Sequence, residues 1–204
     1  MPPRSYVSSV RNAAAAETRD RVIEAAARTL RGENIARFSL DVVAKAAGVT
    51  RLTVYNQFGS RRGLLEAVFD EIAKAGGLHR LADAMAMADP RAALDRLVEI
   101  FCAFWSRDSA VGRLHDAMVT DPEFAEAVRE RNERRRKIFT TLVDRMAKKG
   151  ASPQIRKDAA DLLFTLTSYP TFASLSAGRS RDDACRLVQR ACHAAVAALS
   201  NPSA

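Results

Sequence analysis

The chain of 204 residues is 48% hydrophobic and 27% charged, enough apolar material for one or two packed domains, and this excludes disorder except at the ends. Its formal charge of +8 and pI near 9.9 favour a polyanionic partner, although an arginine-rich background produces the same balance without one. Three cysteines (Cys102, Cys185 and Cys192) without CxxC spacing exclude a disulfide scaffold, and no apolar run approaches the ~18 residues of a membrane span or forms a signal-peptide core, so a soluble, cytoplasmic protein is expected.

The basic excess is concentrated: residues 1–70 carry 11 Lys/Arg against 7 Asp/Glu, and residues 71–204 carry 21 against 17. Met1–Ala16 opens with Pro2-Pro3 and reads as a flexible basic arm, either an ordinary frayed terminus or a segment able to reach a DNA minor groove. Thr18–Arg31 is predicted as a helix with Val22, Ala25, Ala26, Thr29 and Leu30 on its apolar stripe, stopping at Gly32. Ser39 is placed to cap a second helix, in which Leu40, Val43, Ala44 and Ala47 recur at i, i+3, i+4 and i+7. Gly48 follows, the residue that takes positive φ without a Cβ clash. Thr50 then caps a third helix with Val54 and Phe58 inward and Arg51, Leu52, Thr53, Tyr55, Asn56 and Gln57 largely outward. Two helices of about two turns bury too little alone, and this arrangement is that of a helix-turn-helix DNA reader. Arg51, Leu52, Thr53 and Asn56 are the candidates for base edges; Ser39, Thr50, Tyr55 and Arg61 are the candidates for phosphates. Ser60 caps a fourth helix with Leu64, Leu65, Val68, Phe69 and Ile72 on its face. Arg61 and Arg62 sit in its first turn, where cations oppose the helix dipole, which suggests a phosphate as the reason for keeping them there.

Phe38-Ser39-Leu40 with Val43-Ala44, then Ala47-Gly48-Val49, Val54-Tyr55, Phe58 and Ser60-Arg61 with Leu64-Leu65, resemble the N-terminal DNA-binding domain of TetR-type transcriptional regulators, over about residues 17–70. The resemblance implies an all-helical homodimer whose larger C-terminal domain binds a small-molecule effector and pairs the two chains. Arg61 stands where these regulators usually carry lysine, and Leu52 where many carry a small residue.

The remaining chain is also predicted helical, with no strand pattern. Leu78–Met87 leads to Asp89-Pro90, a cap and first helical residue, and Pro90–Ser106 repeats Leu94, Leu97, Val98, Phe101, Phe104 and Trp105 at helical spacing. Val111–Val119 is short; a long helix begins at Asp121-Pro122 and continues towards Gly150, another begins at Ser152-Pro153, and the last carries Ala184, Leu187, Val188, Ala191 and Ala195. Within the long helix, residues 129–137 (RERNERRRK) contain no apolar side chain and read as a solvated stretch, with Asn132 or Arg135 meeting a ligand as the alternative. Tyr169-Pro170 should kink or split its helix. The set Phe101, Phe104, Trp105, His115, Met118, Asn132, Phe164 and Tyr169 is expected around an apolar effector cavity, against simple core packing. The last two helices, about Pro153–Ala177 and Arg181–Ser200, are expected to pair two chains through Leu163, Leu187, Ala191 and Ala195.

His79, His115 and His193 fall on separate helices without metal-ligand spacing, and no phosphate loop or nucleophile elbow is present, so neither an enzyme nor a metal or other cofactor is expected. The sequence therefore predicts an all-α protein with a basic arm (1–16), a helix-turn-helix domain (17–75) and an effector-binding and dimerisation domain (76–204). The expected function is a homodimeric repressor that leaves a pseudo-palindromic operator when a small hydrophobic effector binds. A ligand-independent dimeric DNA-binding or architectural protein, or a helical protein-interaction module, are the alternatives.

Overall fold

The computed structural model of the chain describes residues 4–32, 37–197 and 199. Among them lie eleven α-helices and no strand: α1 (Arg4–Gly32), α2 (Leu40–Ala47), α3 (Arg51–Phe58), α4 (Arg61–Ala75), α5 (Leu81–Ala86), α6 (Pro90–Arg107), α7 (Ala110–Thr120), α8 (Pro122–Met146), α9 (Pro153–Leu166), α10 (Tyr169–Ser176) and α11 (Arg181–Ala197). No helix among the described residues is long and apolar enough to cross a membrane.

Two compact units are formed, neither contiguous in sequence. The first takes α1 to α3, α4 as far as Ile72, and residues 109–125. Its core joins Val22, Ala26 and Leu30 of α1 to Phe38, Val43, Val54, Leu64, Leu65 and Val68, all buried, with Val111 and Leu114 of α7 also buried. Helix α7 packs on α1, so residues 109–125, which the sequence assigns to the C-terminal domain, belong to the N-terminal unit. Helix α1 is also longer than expected. It is continuous from Arg4, so the helix takes in residues 4–16, where a flexible arm with only its last alanines folded onto the helix was expected, while Pro2 and Pro3 lie outside the described residues. The alanine run Ala13–Ala16 favours this, and the Gln57 side chain donates to the Ala15 carbonyl (3.2 Å) while Arg19 donates to the Gln57 carbonyl (3.2 Å) and stacks on the Phe58 ring.

The second unit comprises residues 73–108 and 126–204. Helices α6 and α11 pack together, and α9 also packs on α11, around Leu94, Leu97, Phe101, Phe139, Leu142 and Leu163. Pro170 splits the helical segment as expected: α9 stops at Leu166, Thr167 turns its hydroxyl to the Leu163 carbonyl (2.8 Å), and Ser168 caps α10. The three thiols are free. Burial pushes Cys192 up to about 12, and the hydrogen bond with Cys185 together with burial pushes Cys102 up, so both stay neutral core residues.

Candidate nucleic-acid interface and ligand-facing residues

The geometry of the motif follows from its caps. Ser39 is extended (φ −145°, ψ 162°), and its Oγ accepts from the Val42 amide at 3.2 Å, starting α2. Gly48 ends it at φ 66°, ψ 35°, a left-handed conformation that a side chain would strain. Thr50 starts α3, accepting from the Thr53 amide at 3.1 Å, and Gly59 closes it by donating to the Tyr55 carbonyl at 2.7 Å. With Val54 and Phe58 buried, α3 is locked in rotation. Arg51, Leu52 (65% exposed), Tyr55 (55%) and Asn56 then face solvent, and Thr53 is half-buried with its hydroxyl bonded to that of Thr50 (2.9 Å). A leucine and a tyrosine held that exposed on a short, fixed helix form a surface without an intramolecular reason. Arg51 lies 3.6 Å from Asp41, a pair in which both side chains are about two-thirds exposed and which a stronger anion can replace.

Arg61 has an intramolecular role beside the one expected of it. Its guanidinium has partners inside the first unit: Nη1 donates to Asp121 Oδ2 at 2.7 Å, Nε to the Phe38 carbonyl at 3.1 Å, and Cζ lies 5.7 Å from the Phe38 ring centre. Asp121 in turn caps α8, accepting from the Phe124 amide at 2.9 Å. Both members of the basic pair at the α4 start meet carboxylates, Arg61 with Asp121 and Arg62 with Glu66 (2.6 Å). Gly63 is a residue that sequence reasoning passed over; a Cβ there would stand 2.1 Å from the Phe58 carbonyl oxygen, so the α3–α4 junction closes only on glycine.

The expected effector residues are divided between the two units. His115 and Met118 belong to the first unit, where His115 is exposed and Met118 half-buried. In the second unit Phe101 and Phe104 are buried, and Trp105, Asn132, Phe164 and Tyr169 are half-buried. Trp105 lies 4.5 Å from Phe104, 5.8 Å from Tyr169 and 6.4 Å from Phe101, ring centre to ring centre. Beside this cluster Arg135, expected as part of a solvated stretch, is only 9% exposed. Its guanidinium stacks 4.1 Å from the Phe164 ring centre and 5.6 Å from that of Phe101, and Nη1 donates to the Thr167 carbonyl at 3.0 Å. Its Nε is buried without an acceptor. Burial, and then the charge of Arg136, lower its pKa to about 10, which leaves it protonated at neutral pH. A cleft of about 360 Å³ opens elsewhere in this unit, lined in part by Arg96, Glu99, Cys102, Arg181, Cys185 and Arg186, and none of the expected effector residues borders it.

Of the four residues assigned to dimerisation, Leu163 is fully buried in its own unit and cannot reach a second chain. Its neighbour Leu162 is 49% exposed, and Leu187, Ala191 and Ala195 are half-buried on α11. The one-residue difference on α9 reflects which side of the helix α11 covers.

A capped helix pair joined by a left-handed glycine, with its second helix exposed and anchored from beneath, defines a helix-turn-helix protein. Residues 22–68 match the family described as bacterial regulatory proteins, tetR family, in agreement with the resemblance read from the sequence. The chain is 32% identical over 108 residues to the HTH-type transcriptional regulator EthR of Mycolicibacterium smegmatis, a match covering 52% of this chain and 49% of that protein, so it spans about half the length of that relative. Its fold is similar to that of NalD, the secondary repressor of the MexAB-OprM multidrug efflux pump in Pseudomonas aeruginosa (TM-score 0.65, 20% identity, 88% of this chain and 95% of that one). It is also similar to SmeT in its triclosan complex (TM-score 0.65, 15% identity, 88% and 91%). At these identities the likeness is one of fold.

Proposed function

We propose that the chain is a DNA-binding transcriptional regulator, a repressor that binds a pseudo-palindromic operator as a homodimer and leaves it when a small, largely apolar effector occupies the second unit. The observation that carries this reading is α3: its buried Val54 and Phe58 hold Arg51, Leu52 and Asn56 outward with, among the described residues, no intramolecular role beyond the exposed Arg51–Asp41 contact. In a major groove Arg51 would prefer guanine and Leu52 a thymine methyl, while the hydroxyls of Ser39, Thr50 and Tyr55 supply register through phosphates. Regulation by an apolar compound is supported by the aromatic cluster around Trp105 and by SmeT, which carries triclosan. Pairing through α9 and α11 is supported by the half-exposed Leu162 and the half-buried apolar stripe of Leu187, Ala191 and Ala195.

The test is selection of binding sites from a randomised duplex pool, followed by titration of the selected site with the wild type and with Arg51→Ala. A two-fold-symmetric site is expected, with half-sites ~34–36 Å apart, and Arg51→Ala should cost about 1–3 kcal/mol and relax preference at one base pair per half-site. Enrichment of no sequence, or an Arg51→Ala protein with unchanged affinity and preference, rejects this use of α3.

A further inference from the structure

We propose that Arg135 is an anion-recognising residue of the effector site, and that the effector is accordingly a carboxylate carried on an apolar, ring-bearing body. The inference rests on the ligand-controlled reading above and names its ligand class. A guanidinium is planar, always charged at neutral pH and equipped with five N–H donors. When it is buried for structural reasons it normally meets a carboxylate, because desolvating a cation alone is costly. Arg135 has no such partner among the described residues. Its neighbour Arg136 takes the nearby acids, pairing with Glu133 and Asp161, and leaves Arg135 with one backbone carbonyl, two aromatic faces and an Nε that nothing accepts from. An apolar residue of similar length would fill this space at lower cost, so the charge here works against stability.

The surroundings define what would complete it. Nε of a guanidinium pairs with a carboxylate through a planar, two-pronged contact. Phe101 and Phe164 flank the cation with their faces, and Trp105 and Tyr169 continue the apolar wall. The Thr167 carbonyl that accepts from Arg135 also accepts from Trp105 Nε1 at 2.9 Å, and it lies at the break between α9 and α10, where the backbone is not helical. A carboxylate that draws Arg135 away from this carbonyl therefore alters the hydrogen bond of Trp105, the only tryptophan in the chain.

The experiment uses the full chain and three probes sharing one body: phenylbutanoate, its primary amide and phenylbutylamine, with the acids from phenylacetate to phenyloctanoate as a length series. Binding is followed by Trp105 emission and by the thermal midpoint, in the wild type, Arg135→Met and Arg135→Lys. The acid is expected to bind the wild type about ten- to hundred-fold more tightly than the amide, the ratio expected of a charged hydrogen-bonded pair, and the amine more weakly than either. Arg135→Met should abolish the preference, and Arg135→Lys, which keeps the charge but not the fork, should retain part of it. Acid and amide binding alike, an acid affinity unchanged in Arg135→Met, or no acid of the series moving either signal overturns the proposal. Operator binding separates the two readings: an acid that binds through Arg135 but leaves DNA affinity unchanged supports the site and sinks the regulatory role. Release of the operator by the amide as readily as by the acid does the reverse.

Discussion

Arg61 shows how a residue's chemistry depends on what the fold brings to it. Its Nη1 bond to Asp121 spans 60 positions of sequence, and the two side chains are 28% and 14% exposed, so removing one leaves the other charged and largely shielded. Arg61→Ala is expected to lower the stability of the first unit by about 1–3 kcal/mol, seen as a lower denaturation midpoint, with Asp121→Asn milder because the amide oxygen can still cap α8. If Arg61→Ala unfolds like the wild type but loses DNA affinity on all sequences, the phosphate role expected from the sequence is restored. Arg135 is the opposite case. The fold brings it aromatic faces but no acid, and the missing partner becomes the basis for assigning a ligand.

Among the helices, the reading pair depends on two glycines for different reasons. Gly48 supplies a backbone conformation, φ 66°, that the turn between α2 and α3 requires. Gly63 supplies space: the first turn of α4 passes so close to the end of α3 that a methyl group would meet the Phe58 carbonyl. Gly63→Ala should therefore force α3 and α4 apart, costing about 1–3 kcal/mol and broadening the amide spectrum of α3. An unchanged midpoint would mean that the junction relaxes without loss. Gly48 is legible in sequence because it follows an apolar stripe at helical period, whereas Gly63 sits inside a helix where glycine has no local justification. The break between α9 and α10 is legible for the reason that Gly48 is: Pro170 cannot continue the ladder, whatever surrounds it.

At the level of the whole molecule, the proposed homodimer makes a sharp demand on α11. Leu187 and Ala191 are half-buried in the single chain, so a charge at either can be solvated in a monomer but not in a close helix-to-helix interface. Leu187→Arg and Ala191→Arg are expected to sediment as folded monomers and to lose at least about ten-fold in operator affinity, since two half-sites bound by one particle gain from effective concentration. A dimer that survives both substitutions locates the interface away from α11. Leu163→Arg is not a fair test, because Leu163 lies in the core and its replacement would unfold the unit.

The sequence by itself determined the all-α class, the helix-turn-helix, its caps and turn, and the outward residues of α3. Each depends on interactions within about ten positions: a hydroxyl on an amide three residues on, a glycine after a stripe, a period of 3.6. Tertiary structure alone decided what lies inside on α8 and α9, because that depends on the neighbour that covers each helix. Leu162 and Leu163 are equivalent by composition, and only the packing of α9 on α11 separates them. The polar run 129–137 reads as solvated because charge normally is; the chain around Phe101, Phe164 and Thr167 closes over Arg135 instead. The division into units belongs to the same class, since the place of residues 109–125 beside α1 follows from contacts made across some ninety positions that no local pattern encodes.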